Sequence, residues 1–88
     1  SSAVQVSISD PRVSRMHARI DWSDGAFMLT DVSSFGTWVQ FENSETAVPL
    51  RRSSCMLHGF GRLALGMPFD ARAPTLDFRV TGGSMHLG

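Results

Sequence analysis

Residues suited to binding a phosphate ester fall close together near the start of the chain. Arg12, Ser14 and Arg15 lie in a segment that begins at Asp10-Pro11 and leads into an alternating apolar stretch. A serine hydroxyl donates one hydrogen bond to a phosphate oxygen, and guanidinium groups add charge-assisted donors. The pattern therefore indicates a phosphate-binding loop, although a solvated turn with surface arginines has the same composition.

A second candidate binding loop, residues 31–37, ends one predicted strand and opens the next. It carries the hydroxyls of Ser33 and Ser34, the aromatic Phe35 and the conformationally permissive Gly36. Loops that join rigid strands are where binding residues concentrate, so this loop could contact an extended peptide. The alternative is a serine-rich turn with Phe35 packed into the core.

Two pairs of residues have the types needed for nucleophilic catalysis but not the spacing. Ser14 and His17 stand three positions apart on a predicted strand, so their side chains point to opposite faces. No acid stands where it could orient the histidine. Cys55 and His58 have the same spacing across a predicted turn. We therefore predict no catalytic residues, and we interpret His17 as a hydrogen-bonded structural histidine.

The elements that position these loops are strands, because the dominant hydrophobic period is two. Clear alternation occurs over residues 4–8, 18–22 and 76–80, with shorter candidates at 27–30, 37–41, 47–50 and 62–65. Ser23-Asp24-Gly25 separates two of these segments and predicts a tight hairpin. No stretch of ten or more residues has a helical apolar stripe. The sequence predicts an all-β antiparallel sandwich or barrel.

Length and composition restrict the class of protein. The 88 residues, 42% of them hydrophobic, predict one domain at residues 1–81 and a flexible tail at residues 82–88. Eight arginines balance eight acidic residues, so charge gives no general attraction to nucleic acid or to an anionic membrane. The longest apolar runs are far shorter than the ~20 residues that a transmembrane helix needs.

Cysteine and histidine usage narrows the expected chemistry further. The single Cys55 cannot form an internal disulfide, which fits a reducing compartment, and we expect a cytoplasmic location. One cysteine and three scattered histidines cannot supply the paired ligands of a structural zinc site. No metal and no cofactor is predicted.

The two loops, in this order and at this separation, resemble the forkhead-associated (FHA) family of phosphothreonine-peptide recognition domains. The family pattern Ser-Arg-x-His matches residues 14–17, and Asp-x-Ser-x-Asn-Gly-Thr-x-Val resembles residues 31–39. A later pattern, Leu-x-x-Gly-Asp-x-Ile-x-Leu-Gly, is similar to residues 57–66. The resemblance covers about residues 4–80. Within the family, the chain looks closest to modules of bacterial signalling proteins such as nucleotide cyclases.

The resemblance implies a non-catalytic signalling module with an FHA-like antiparallel β-sandwich, whose loops at one end bind a threonine-phosphorylated protein or peptide. Ser14 would donate a hydrogen bond to the phosphate, and Arg15 would occupy a neighbouring phosphate-contact position. Ser34 would lie near the phosphothreonine or its backbone, and Gly36 would make the turn. His17 would be structural, its ring tying the binding loops together.

Two departures from the family pattern bear on this expectation. Phe35 stands where the family has an asparagine that holds the peptide main chain, and a phenylalanine side chain has no donor or acceptor. The family's phosphate-clamping Gly-Arg would fall immediately before Ser1, together with one or two opening strands. We therefore expect a domain that is N-terminally incomplete.

Three functions remain open at this point. The leading hypothesis is a phosphothreonine-peptide module. The alternative, which Phe35 favours, is an FHA-like domain that mediates phosphate-independent interaction or dimerisation. If opening strands are missing, an uncovered sheet edge would pair with a second copy or with a retained N-terminal fragment. An enzyme fragment is the third hypothesis, supported only by the loosely placed polar residues above.

Overall fold

The computed structural model describes residues 3–6, 8, 10–11, 13 and 16–88, and the regular structure within them is entirely β. The strands are β1 (Ala3–Val6), β2 (Ala18–Ser23), β3 (Ala26–Asp31), β4 (Thr37–Phe41), β5 (Val48–Leu50), β6 (Ser54–Leu57), β7 (Phe60–Leu65), β8 (Thr75–Thr81) and β9 (Ser84–Leu87). The described part of the chain contains no helix that could cross a membrane.

The strands form two antiparallel sheets. One sheet has the order β1-β2-β3-β6, and the other has the order β5-β4-β7-β8-β9. Each pairing between neighbours is antiparallel. The chain crosses from the first sheet to the second between β3 and β4, through the loop that the sequence marks as a candidate binding loop. The predicted all-β antiparallel sandwich is confirmed.

The β2–β3 hairpin forms where the sequence predicts it. Ser23 pairs with Ala26, which leaves a two-residue loop of Asp24 and Gly25. Both loop residues have positive φ, 51° for Asp24 and 79° for Gly25. Two successive positive φ values are the signature of a type I′ turn, whose twist matches that of the flanking strands. This turn fixes the register of β2 against β3.

Period-two alternation buries one face of each sheet in a shared core. In β2, for example, Ala18 and Ile20 are buried and Arg19 between them is exposed. The buried apolar residues of the predicted strands include Val6, Ala18, Ile20, Leu29, Val39, Leu63, Leu65 and Phe78, and the partly buried ones include Ile8, Leu76 and Val80. Each fully buried aliphatic or aromatic side chain stabilises the fold by about 1.5–3 kcal/mol relative to an exposed one.

The end of the chain differs from the flexible tail expected at residues 82–88. Gly82, with a φ of 58°, makes a turn, and β9 then pairs with β8 from Ser84 onward. Met85 and Leu87 pack against the core, and Gly88 exchanges two backbone hydrogen bonds with Asp77, of 2.8 and 2.9 Å. Met85 and Leu87 alternate with polar residues in the sequence. The alternating stretch is short and follows Gly82, so the sequence pattern did not predict a strand there.

Candidate functional site

The loop between β3 and β4 is organised by Asp31, the last residue of β3. Its carboxylate is buried, with an exposed fraction of 1%. Oδ1 accepts hydrogen bonds from the hydroxyls of Ser33 at 2.7 Å and Thr37 at 2.8 Å, and from the Ser33 amide at 3.3 Å. Oδ2 accepts the backbone amide of Arg52 at 2.8 Å. A buried charge is tolerated when it is hydrogen-bonded in this way.

The pKa of Asp31 reflects a competition between burial and hydrogen bonding. Burial acts to raise the pKa, but the hydrogen bonds from the Arg52 amide, Ser33 and Thr37 favour the charged form. Together they hold the pKa of Asp31 below its ordinary value of 3.8. Asp31 is therefore a carboxylate at neutral pH, and its charge joins the β3–β4 loop to the turn that follows β5.

Ser33 closes the tip of this loop. Its hydroxyl donates to Asp31 and accepts the backbone amides of Gly36 at 2.8 Å and Phe35 at 3.3 Å. Gly36 has a φ of 97°, and a Cβ there would lie 3.2–3.3 Å from the Trp38 ring and the Leu50 carbonyl oxygen. Both the backbone conformation of Gly36 and its surroundings disfavour a side chain at this position of the loop.

His17 joins this loop to the segment that precedes β2. The fully buried imidazole places Nε2 at 2.7 Å from the carbonyl oxygen of Gly36. A carbonyl oxygen only accepts, so Nε2 carries the proton. The same carbonyl oxygen accepts the Gly66 amide at 3.0 Å, and the backbone of His17 bonds to Val6 and Val32. The structural role of His17 remains a prediction, and this geometry is the one that such a role requires.

The other predicted phosphopeptide-binding residues divide into two groups. Ser34 and Phe35 are exposed at the tip of the β3–β4 loop, with an exposed fraction of 49% for Phe35. The packing of Phe35 into the core, one alternative left open by the sequence, is therefore wrong. Ser14 and Arg15 lie outside the described residues, as does Arg12.

A cleft beside this loop brings in two residues that sequence reasoning did not select. Its volume is about 370 Å³, and it is lined by Asp31, Ser33, Ser34, Gly36, Arg51 and Arg52. Arg51 and Arg52 follow β5 directly, and both side chains are exposed. The adjacent pair of arginines could have indicated an anion-binding site in the sequence. However, 14 or more positions separate these arginines from the β3–β4 loop, which they approach only in the folded chain.

Of the two residue pairs considered for catalysis, Cys55 and His58 both lie within the described residues. Burial raises the pKa of the Cys55 thiol, which opposes formation of the nucleophilic thiolate. His58 is exposed and stacks on Phe41, with ring centroids 4.4 Å apart and an interplanar angle of 9°. Within the described residues, no cluster of three or more histidine, cysteine or acidic side chains is arranged to hold a metal ion. The site is suited to binding a partner through hydroxyls, amides and guanidinium groups.

The chain forms a two-sheet antiparallel sandwich whose β3–β4 loop and β5–β6 turn meet in a polar cleft. The FHA domain family matches over residues 1–55, and the chain belongs to this family. FHA domains are in general phosphopeptide-binding interaction modules with phosphorylated protein partners. The resemblance seen in the sequence is thereby confirmed.

Two curated relatives are plant proteins. The chain is 48% identical over 50 residues to a chloroplastic zeaxanthin epoxidase of Prunus armeniaca, a match that covers 54% of this chain and 8% of that protein. It is 63% identical over 30 residues to a chloroplastic zeaxanthin epoxidase of Solanum lycopersicum, covering 33% of this chain and 4% of that protein. The chain thus spans less than a tenth of either relative. No solved structure matches it significantly. The suggested likeness to modules of bacterial cyclases gains no support from these matches.

Proposed function

We propose that this domain recognises phosphothreonine in a partner protein without catalysing a reaction. The observation that carries the proposal is the buried hydrogen bond between His17 and Gly36. It fixes the end of the segment that contains the Ser-Arg-x-His pattern against the loop that contains Ser34 and Phe35. His17 of the first sequence pattern and Gly36 of the second are therefore in direct contact, which supports a shared binding surface.

The balance of expected interactions favours phosphate-dependent binding. A dianionic phosphate would accept a hydrogen bond from the Ser14 hydroxyl and a charge-assisted one from Arg15, each contributing about 1.5–3 kcal/mol. Phe35 in place of an asparagine removes one or two neutral hydrogen bonds to the peptide main chain, each of about 0.5–1.5 kcal/mol. Because the phosphate contribution is the larger, the domain discriminates phosphorylated peptides but holds them weakly.

A second candidate function is phosphate-independent interaction, including dimerisation. The exposure of Phe35 at the tip of the binding loop favours it, since an aromatic side chain supplies apolar contact area that does not depend on phosphate. The two candidates differ in one measurable property, the ratio of affinities for a phosphorylated peptide and for its unphosphorylated form.

The plant relatives suggest where such a domain acts. We infer that the chain is the FHA part of a longer protein similar to these epoxidases, so that an interaction module is attached to an enzyme. The identity of 48% over 50 residues supports this inference. A chloroplast location, as in the relatives' names, then competes with the cytoplasmic location expected from the single cysteine. Imaging of a fluorescent fusion of the full-length protein separates the two locations.

A peptide library tests the proposed function. The full-length protein is screened against peptides synthesised with phosphothreonine and with threonine, and the best binders are measured in solution. We expect a preference for phosphothreonine, and we expect Ser14→Ala to weaken binding about tenfold, or about 1.4 kcal/mol. Ser23→Ala is the matched control, because Ser23 is exposed at the β2–β3 hairpin, away from the binding loops. Equal binding of both peptide forms would favour the phosphate-independent candidate.

A further inference from the structure

The turn that follows β5 is fixed to the binding loop by a buried carboxylate. The backbone amide of Arg52 donates to Oδ2 of Asp31 at 2.8 Å, and the amide of Asp31 donates to the carbonyl oxygen of Ser53 at 3.0 Å. The amide of Arg51 donates to the Ser53 hydroxyl at 3.2 Å. These hydrogen bonds fix the backbone of the turn, so both arginine side chains project from a fixed position.

The backbone of Arg52 adopts an unusual conformation in this turn. Its φ of 53° lies in the left-handed region, which non-glycine residues seldom occupy. Outliers of this kind persist where the surrounding structure imposes them, and they concentrate at ligand-binding sites. In this conformation the Arg52 amide donates to Asp31, and the arginine lies at the edge of the cleft.

The two guanidinium groups are available to a ligand. Neither forms an ion pair or a side-chain hydrogen bond within the described part of the chain, whereas Arg19 pairs with Asp21 at 3.0 Å and Arg62 with Asp77 at 3.4 Å. Asp31 is the carboxylate among the residues that line the cleft, and its oxygens already accept hydrogen bonds from the protein. The cleft therefore presents positive charge beside the hydroxyl-bearing loop.

This charge reaches the β3–β4 loop from the side of the first sheet that carries β6, in a cleft that Ser34 and Gly36 also line. In the first sheet, β2 and β6 lie on opposite sides of β3. The segment with Ser14 and Arg15 leads into β2, and the turn with Arg51 and Arg52 leads into β6. The β3–β4 loop is bonded to His17 at Gly36 and to the backbone amide of Arg52 at its base, Asp31.

We propose that Arg51 and Arg52 form a second anion-binding site, which selects phosphopeptides that carry a further negatively charged side chain close to the phosphothreonine. This inference rests on the proposed function, since it assumes that a phosphopeptide occupies the loops. Arginine binds both carboxylate and phosphate oxygens, so the second group is an acidic side chain or a second phosphate. The cleft of about 370 Å³ is roughly ten times the ~30 Å³ that one water molecule occupies, which accommodates a charged side chain.

A peptide set with two independent changes tests this proposal. Each peptide has threonine or phosphothreonine at its centre. Each of the three positions before and the three positions after this residue is alanine, glutamate or phosphoserine. Affinities are measured for the wild-type protein and for the variants Arg51→Ala and Arg52→Ala. Arg51→Lys retains the charge without the forked geometry, and thermal unfolding of each variant reports on folding. Arg79→Ala is the matched control. Arg79 is exposed, and it pairs with Phe60 at the end of β7 that is away from the β3–β4 loop.

We expect an acidic or phosphorylated residue at one or two positions to strengthen binding of the phosphothreonine peptide about fivefold, within the range of a partly exposed ion pair. Arg51→Ala or Arg52→Ala should remove this gain and leave the peptide with alanine flanks nearly unaffected. Arg51→Lys should keep part of the gain, and Arg79→Ala all of it. The glutamate and phosphoserine arms show which anion the site prefers.

Three results would overturn the inference: no gain from a second anion, a gain that survives both alanine substitutions, or an equal loss of affinity for all phosphothreonine peptides. The last of these would mean that the arginines contact the phosphothreonine itself. The proposed function is judged separately, from the ratio of affinities for phosphothreonine and threonine peptides with alanine flanks. A preserved ratio without an effect of the second anion leaves the proposed function standing alone.

Discussion

Phe35 is the position at which the exposed tip of the proposed binding loop lacks a polar side chain. Its exposed fraction is 49%, and it has no group to bond the peptide main chain. Phe35→Asn should therefore strengthen phosphopeptide binding by roughly threefold to tenfold, the equivalent of one or two neutral hydrogen bonds. Phe60→Asn is the matched control. Phe60 has an exposed fraction of 52% and lies at the end of β7 that is away from the β3–β4 loop, so this substitution should leave the affinity unchanged. Fluorescence anisotropy with a labelled phosphopeptide measures both; weaker binding by Phe35→Asn would mean that the aromatic ring contacts the peptide.

Asp31 makes the stability of the domain depend on pH in the acid range. Its pKa in the folded state lies below the ordinary value of 3.8, so the unfolded state binds protons more readily. The resulting stabilisation is fully present above about pH 4, and it is lost as the pH falls through the lowered pKa of the folded state. Urea unfolding from pH 7 to pH 2 should show this loss.

The variant Asp31→Asn isolates this contribution. It should lower the free energy of unfolding at pH 7 by about 1–3 kcal/mol, since buried hydroxyl and amide donors lose a charged acceptor. It should also flatten the dependence of stability on pH below about pH 4. Asp24→Asn is the control, because Asp24 is an exposed turn residue with a φ of 51° that asparagine also tolerates. Equal acid sensitivity of wild type and Asp31→Asn would contradict the role assigned to this carboxylate.

Residues of the candidate site could be predicted from the sequence only where they belong to a local sequence pattern. His17 and the turn at Gly36 belong to recognisable patterns, and the structure brings them within hydrogen-bonding distance. The contact of Asp31 with Arg52 joins residues 21 positions apart and depends on the path of the chain between β5 and β6. No periodicity or short motif encodes that path, so the arginine-lined cleft emerges only from the structure.

At the scale of elements, the close approach of β4 and β7 depends on Gly61. A Cβ at this position would collide with the carbonyl oxygen of Gln40 and lie 2.9 Å from both the Phe41 Cα and the Phe78 ring. Gly61→Ala should therefore destabilise the fold by about 1–3 kcal/mol through overpacking. For a domain of this size, each 1 kcal/mol lowers the melting temperature by about 4–8 °C.

Thermal unfolding followed by circular dichroism measures this effect. Gly83→Ala is the matched control, because a Cβ there meets no atom within 4 Å and the residue is not in the left-handed region. Its melting temperature should stay close to that of the wild type. A similar melting temperature for Gly61→Ala would show that the two strands can separate enough to admit a methyl group.

Strands were predictable where alternation is long and bounded by turn residues. The expected segment at residues 37–41 coincides with β4, and residues 18–22 fall within β2. Two short strands, β6 and β9, were not predicted. In β6 a single buried residue, Leu57, follows three that are exposed or half-buried, and β9 has no buried residue, so neither shows the pattern of a core strand. Their existence depends on pairing with β3 and β8, which the local sequence does not contain.

At the scale of the whole molecule, the proposed binding end is built from loops of both sheets. The radius of gyration of 11.9 Å matches the value of about 12 Å expected for a compact domain of 88 residues. The β3–β4 loop crosses between the sheets, and the β5–β6 turn connects their outer strands. Loss of packing between the sheets would therefore disperse the binding groups, and we expect peptide binding to raise the melting temperature by mass action.

The proposed function makes the claim that this domain distinguishes phosphothreonine from threonine. Isothermal titration calorimetry of the full-length protein with one peptide sequence, synthesised with threonine, phosphothreonine or phosphoserine at the same position, tests it most directly. We predict measurable binding of the phosphothreonine peptide that weakens with added salt, and binding of the threonine peptide at least tenfold weaker. The phosphoserine peptide shows whether the threonine methyl group contributes to recognition. Equal affinity for the threonine and phosphothreonine peptides would contradict the claim.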